Sequence, residues 1–207
     1  MKTYIALIIC ICLSTLASFT QDGSAIELAK LQTNIANEAK DIHSLAGTFL
    51  QVKTVASLGI SIESKGKFFF KKNGNKFRWE YLSPTQFVII YANDEFKIKQ
   101  FENVDQKQAT STVFTELNTV LLQALNGKLK PNESFDMSAM EYDAAYTLIL
   151  TPVESELSIL LKSVILSFDK STYSVNSITL TERNEDNTLI QLTNLKKNKA
   201  ISDNLFE

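Results

Sequence analysis

Residues 64–91 read SKGKFFFKKNGNKFRWEYLSPTQFVIIY. Apolar and polar residues mostly alternate on both sides of Asn73-Gly74, as they do in strands with one buried face. Asn-Gly is a strong hairpin signal because both residues tolerate positive φ. Pro84 cannot donate a hydrogen bond to a sheet and is predicted to end the second strand. The stretch therefore predicts a long antiparallel hairpin, followed by another strand over residues 86–91.

The period of two continues through most of the chain. It predicts further strands at residues 45–52, 95–101, 133–140, 145–151, 163–168, 173–182 and 188–195, and the tail 201–207 could add an edge strand. Three- and four-residue spacing predicts helices at 24–39, with Ser24 as the cap, at 112–126 before Gly127, and at 154–161. A single sheet of nine to eleven strands tends to curl. We predict a mainly β fold: an incomplete, half-open β-barrel with an N-terminal helix and short lid helices covering a hydrophobic cavity.

The first twenty residues have the layout of a cleavable signal peptide. Lys2 is followed by an apolar stretch from residue 5 to 16 and by the small residues Ala17 and Ser18. A retained membrane anchor is the alternative, but a span needs about 20 apolar residues and this stretch is shorter. We predict cleavage after Ala17 or Thr20 and a single domain over residues 21–207.

Both cysteines, Cys10 and Cys12, lie inside this leader and follow isoleucines. A lipid-modified cysteine needs a small residue before it, so we predict no lipoprotein anchor. The mature protein would have no thiol, hence no disulfide and no cysteine nucleophile. Its fold would have to be held together by its core alone.

Charge and motifs argue against several classes of function. The chain has 21 basic and 23 acidic residues, and loss of Lys2 leaves 20 − 23 = −3, so neither nucleic acid nor an anionic membrane is an obvious partner. His43 is the only histidine, and without thiols a zinc site would depend almost wholly on carboxylates. No nucleophile-elbow, P-loop or dinucleotide motif occurs. We predict no metal, no cofactor and no enzymatic activity.

Aromatic residues are concentrated in the opening stretch. Two interpretations fit them: an ordinary hydrophobic core, or a cavity lined by rings. Phe69 breaks the alternation, so this strand is apolar on both faces near its end. One face could then pack on a helix while the other lines a pocket. The aromatic residues are Phe68, Phe69, Phe70, Phe77, Trp79, Tyr81, Phe87 and Tyr91.

The same stretch resembles the signature region of the periplasmic outer-membrane lipoprotein carriers, the LolA-type family. In that family a glycine opens a strand that ends in a basic residue, and an aromatic–x–tryptophan strand closed by proline follows the turn. Gly66, the pair Lys71-Lys72, the triplet Phe77-Arg78-Trp79 and Pro84 match these elements. Residues 44–51 (SLAGTFLQ) and the ending ISDNLFE are similar to the family's first strand and closing segment.

This resemblance implies a monomeric periplasmic carrier that shuttles acylated lipoproteins. It would receive them from an inner-membrane lipoprotein-releasing transporter, bind their acyl chains in its cavity and pass them to an outer-membrane acceptor. The implied cavity residues are Phe49, Phe68, Phe70, Phe77, Trp79, Tyr81, Ile89, Tyr91, Leu117, Leu121, Leu122 and Leu125. The family also has an arginine before its turn that hydrogen-bonds the lid, and Lys72 stands at the equivalent position as the lid latch. A lysine offers a point charge rather than a planar fork.

Two alternatives remain open at this point. One is an envelope lipid- or acyl-binding sensor or regulator of the same fold. The other, from a different class, is an envelope enzyme or an accessory binder of some other acylated molecule. A membrane-anchored acceptor of the same fold is disfavoured because Cys10 and Cys12 lack the small preceding residue that lipid attachment needs.

Overall fold

A computed structural model describes residues 23–100, 112–130, 134–153 and 156–207, and the side chains of all of these except residues 100, 112–118 and 156. The predicted signal peptide lies outside these ranges. The described strands are β1 (Ser24–Ile26), β2 (Ser44–Val55), β3 (Ile60–Lys71), β4 (Lys76–Ser83), β5 (Phe87–Ala92), β6 (Glu95–Gln100), β7 (Phe135–Glu141), β8 (Ala145–Pro152), β9 (Leu161–Asp169), β10 (Val175–Glu182) and β11 (Asn187–Lys197). The helices are α1 (Leu28–Lys40), α2 (Thr112–Leu125), α3 (Glu156–Leu160) and a terminal 3₁₀ helix (Asp203–Phe206).

The eleven described strands form one antiparallel sheet. Their order is β1-β7-β8-β9-β10-β11-β2-β3-β4-β5-β6, so the sheet does not close and β1 and β6 form its edges. The crossover runs from β6 through α2 to β7 at the far side of the sheet. The predicted fold, an open β-barrel with helices, is confirmed.

The two ends of the chain differ from their sequence-based predictions. Ser24 does not cap a helix, because it belongs to β1 and pairs with Glu141 of β7. The helix begins at Leu28 instead, after Glu27, whose side chain makes no capping hydrogen bond. The tail forms a 3₁₀ helix rather than an edge strand, and this conformation buries the Phe206 ring against the outer face of the sheet, which is favourable.

The β3–β4 turn forms where the Asn-Gly signal predicts it, with one difference in detail. Residues 72–75 connect the paired residues Lys71 and Lys76, and positive φ angles occur at Gly74 (78°) and Asn75 (46°). The Asn75 amide donates to the Lys72 carbonyl at 3.0 Å. The loop is thus four residues long, and the left-handed positions are shifted by one residue from the predicted pair.

Two apolar clusters lie on opposite faces of the central strands. Phe68 and Phe70 belong to the main core, which α1 and α2 cover. Phe69 points to the other face, as the alternation of a strand requires, and packs on a small outer cluster around Phe206. The break in alternation at Phe69 is therefore explained by the C-terminal segment, which covers the outer face.

Candidate functional site

The centre of the covered face is a group of stacked aromatic rings on β2, β3 and β4. The Trp79 indole stacks on Phe49, with ring centroids 4.1 Å apart, and on Phe68, with ring centroids 5.7 Å apart. Tyr81 meets Phe49 edge to face at 5.0 Å and stacks on Phe87 at 4.2 Å. Such ring pairs contribute about 1 kcal/mol beyond the area they bury. The spacing of two along each strand puts these rings on one face.

Gly66 makes the stack possible. It pairs directly with Phe49 across β2 and β3, and the Phe49 ring lies over it. A Cβ atom at this position would collide with that ring and with the backbone carbonyl of Glu80. The glycine is required here by close approach of neighbours, because its φ is not in the left-handed region.

The structure brings most of the predicted cavity residues together. Phe49, Phe68, Phe70, Phe77, Trp79, Tyr81, Ile89, Leu121, Leu122 and Leu125 all belong to the one main core and are at most 6% exposed. Tyr91 is half-buried at its margin, and its hydroxyl donates to Asp94 at 3.1 Å. The side chain of Leu117 lies outside the described residues. The described members of this set thus pack together in one apolar cluster.

The polar groups at the site are satisfied. The Tyr81 hydroxyl donates to the amide oxygen of Gln51 at 2.8 Å, and burial raises the pKa of Tyr81 far above its usual value, so it stays neutral. No buried side-chain polar atom of the described residues lacks a partner. The described ranges also hold no group of three or more residues that could bind a metal ion. The described interior is therefore apolar, and its buried polar side-chain groups are paired.

Lys72, the predicted latch, contacts α1 and not α2, the helix that carries Leu117, Leu121 and Leu122, which the resemblance implies as the lid face. Its ammonium group donates to the carbonyl oxygens of Ala39 at 2.7 Å and Lys40 at 3.3 Å, at the C-terminal end of α1. A cation is favoured there because the last carbonyls of a helix lack intrahelical partners and carry the negative end of the dipole. The lysine therefore ties the β3–β4 turn to α1.

The end of α2 is tied to the same turn by residues that the sequence analysis did not single out. The side-chain amide of Asn126 donates to Asn75 at 2.8 Å. Gly127 (φ 65°) ends the helix in a Schellman arrangement, with Gly127 N–H bonded to Ala124 and Lys128 N–H to Gln123. An added Cβ on Gly127 would lie 2.8 Å from Ala39, so the glycine also lets α1 and α2 approach closely. Asn73-Gly74 and Gly127 predicted the turn and the end of the helix, but not this contact between them.

The two ends of the sheet differ in character. The β2–β3 turn, the end of β4 and α3 share one end, as the strand registers show. This end holds the exposed large apolar side chains of the described residues: Leu58, Ile60, Ile62, Leu82, Ile159 and Leu160. The β3–β4 turn lies at the other end, with the α1–β2 junction and residues 198–201, and Lys71, Lys72 and Lys199 lie here. One end thus exposes large apolar side chains, and the other, the basic end, gathers three lysines.

A family model matches residues 40–207, from the end of α1 to the C-terminus, and it describes the outer membrane lipoprotein carrier protein LolA. The chain belongs to the LolA family. The resemblance that residues 64–91 carry is thereby confirmed. None of the helices in the described part of the chain is long and apolar enough to cross a membrane.

Solved structures show the same fold at low sequence identity. The crystal structure of MucB is 16% identical, with a TM-score of 0.53 over 86% of this chain and 62% of MucB. MucB in complex with MucA(peri) is 12% identical, with a TM-score of 0.50 over 87% of this chain and 59% of that one. An uncharacterized conserved protein from Thermus thermophilus is 9% identical, with a TM-score of 0.51 over 86% of this chain and 93% of that one.

The chain thus spans less than two thirds of the MucB chains that it matches. No curated protein matches the chain. At these identities, the similarity shows that the chain and these proteins share a fold.

Proposed function

We propose that the protein is a periplasmic carrier that binds the acyl chains of lipoproteins and shuttles them from the inner to the outer membrane. The observation that carries the proposal is the continuous apolar face of the open sheet, with Trp79 at its centre and α1 and α2 packed across it. Acyl chains need a dry, non-directional environment, and each buried CH₂ contributes about 0.8 kcal/mol. No catalytic group is required.

Loading would displace a covering helix, and α2 is suited to this movement. Its described buried residues, among them Leu121, Leu122 and Leu125, cover the face that carries Trp79. An acyl chain that entered below α2 would exchange one set of apolar contacts for another. The loaded and empty states would then lie close in free energy, as a carrier that must also release its cargo requires.

The single tryptophan of the chain allows a direct test. Triacylated lipopeptides that carry a nitroxide spin label on an acyl chain should quench the fluorescence of Trp79, because nitroxides quench only at short range. A matched control moves the indole to the outer face with the double substitution Trp79→Phe and Phe206→Trp. We expect strong quenching of the wild type and little of the control. No quenching of Trp79 by bound lipopeptide would remove it from the binding site.

Export and transport are tested separately in the organism that makes the protein. N-terminal sequencing of the protein from a periplasmic fraction should find a chain that begins at Ser18 or Gln21, as cleavage after Ala17 or Thr20 requires. Depletion should leave lipoproteins in the inner membrane. Normal delivery to the outer membrane after depletion would contradict the shuttling role.

A second candidate is an envelope lipid-binding sensor or regulator. The fold similarity to MucB, which has been solved in complex with MucA(peri), favours it. The two candidates differ in one outcome. A sensor would bind the labelled lipopeptide, but its depletion would leave lipoprotein delivery unchanged.

A further inference from the structure

We propose that the basic end of the sheet holds a second binding site, which takes a phosphate group. A cleft of about 560 Å³ opens there between the α1–β2 junction, the β3–β4 turn and the segment that follows β11. That volume is within the usual range for small-ligand sites. The cleft is lined by His43, Ser44, Lys71, Lys72, Asn73, Asn198, Lys199, Ala200 and Ile201. It lies outside the aromatic core and does not depend on acyl-chain binding there.

The charge of the lining is one-sided. The described lining includes three lysines and the only histidine of the chain, and no carboxylate, although the whole chain has a net charge of −2. Lys71 of the lining shares the carboxylate of Asp203 with Lys76, at 2.8 Å each, so one carboxylate faces two ammonium groups. Like charges gathered in one cleft repel one another, and a bound anion would relieve this repulsion.

Two of the lining groups are free to contact a ligand. Lys72 is held by the carbonyl oxygens at the end of α1, and Lys71 by Asp203. In the part of the chain that the structure describes, the side chains of Lys199 and His43 have no hydrogen-bond or ion-pair partner, and both residues are exposed. These two would contact the phosphate directly. A lysine ammonium binds phosphate as a point charge.

The wall that carries these two groups is held in place by hydrogen bonds. The Asn198 side-chain oxygen accepts from His43 N–H at 2.7 Å, and its amide donates to the Asp41 carbonyl at 2.8 Å. The Ser44 hydroxyl donates to the Lys199 carbonyl at 2.6 Å. The backbones at His43 and Lys199, far apart in sequence, are thus tied together before any ligand arrives, so that only the two side chains have to be ordered on binding.

The phosphate could be free or part of a lipid headgroup, and two arms of one experiment separate these sources. The first arm titrates the ¹⁵N-labelled protein with inorganic phosphate and with glycerol 3-phosphate at constant ionic strength, and follows amide shifts. The second measures binding to phosphatidylcholine vesicles with and without phosphatidylglycerol. Each arm compares the wild type with the double variant His43→Gln/Lys199→Gln. Lys196→Gln is the matched control, because it removes an exposed lysine of β11 outside the cleft.

We expect saturable shifts at His43, Ser44, Lys72 and Asn198 and about tenfold weaker binding by the double variant, with no change in the control. Binding of the soluble phosphates without any effect of phosphatidylglycerol would identify a free phosphate compound as the ligand. Stronger binding to vesicles that contain phosphatidylglycerol would show that a lipid headgroup can also supply the phosphate. Equal weakening by Lys196→Gln would reduce the effect to general surface charge and overturn the proposal. The proposal would also be overturned if the double variant bound both the soluble phosphates and the vesicles as tightly as the wild type.

Discussion

The ammonium nitrogen of Lys72 lies 2.7 Å from the carbonyl oxygen of Ala39, so that the β3–β4 turn is fastened to the C-terminal end of α1. The contact bridges 33 residues of sequence and caps a helix with a cation where its dipole is negative. The same turn is bonded to the end of α2 through Asn75 and Asn126 at 2.8 Å. One short loop therefore holds both helices that cover the aromatic core.

Substitution of Lys72 by Met should loosen α1. The two carbonyl oxygens would lose a charged donor, and we expect the free energy of unfolding to fall by about 1 kcal/mol. Urea denaturation measures this change, and amide hydrogen exchange in α1 should accelerate. Lys65→Met is the control, since Lys65 pairs only with the exposed Glu63 and such pairs contribute little. Unchanged exchange in α1 would show that the contact does not hold the helix.

Gly66→Ala should be far more destabilising than another glycine substitution in the same strand pair. The new methyl group would strike the Glu80 carbonyl, which is fixed in β4, and the Phe49 ring. We expect a loss of about 3 kcal/mol in thermal or chemical unfolding. Gly59→Ala is the matched control: no atom lies within 4 Å of its added Cβ, and only its φ of 62° is strained, at about 1 kcal/mol. Equal losses would contradict a packing role for Gly66.

Asp203 should make stability depend on pH in acid. Hydrogen bonds from Lys71 and Lys76 lower its pKa from 3.8 to about 2 in the folded protein. A lowered folded-state pKa contributes stability that is present above the unfolded pKa and lost as pH falls through the folded one. The contribution should therefore disappear between about pH 4 and pH 2. Asp203→Asn should lower the melting temperature at pH 7 and make it less sensitive over that window. If the melting temperatures of the two proteins fell in parallel between about pH 4 and pH 2, Asp203 would not be the source of this pH dependence.

Phe206→Ala should release the C-terminal segment from the outer face. The ring is 5% exposed and packs in the cluster with Val88 and Ile90. We expect a loss of about 3 kcal/mol, at the lower end for a buried phenylalanine because the cluster is small. Leu58→Ala is the control, since Leu58 is 68% exposed and surface substitutions change stability by about 0.5 kcal/mol or less. A loss no larger than that of the control would show that the tail adds nothing to stability.

Much of the fold could be predicted because its signals are local. Alternation in residues 64–91, Pro84 and the NG turn predicted the central hairpin, and Gly127 predicted the end of α2. The family could be recognised from the same stretch. The larger errors in secondary structure fell at the chain ends. There, the short apolar segments around Ile26 and Phe206 take the structure that their neighbours offer.

Most of the elements, their antiparallel pairing and the apolar face follow from local sequence, because period and turn chemistry depend on residues that are close along the chain. The tertiary fold sets the contacts that join distant segments. It placed Lys72 on α1 rather than on α2, turned Phe69 towards the C-terminal helix, and set His43 beside Lys199. These pairings depend on how far the sheet curls and where its helices cross it. No local pattern encodes either quantity, since both follow from packing summed over the whole core.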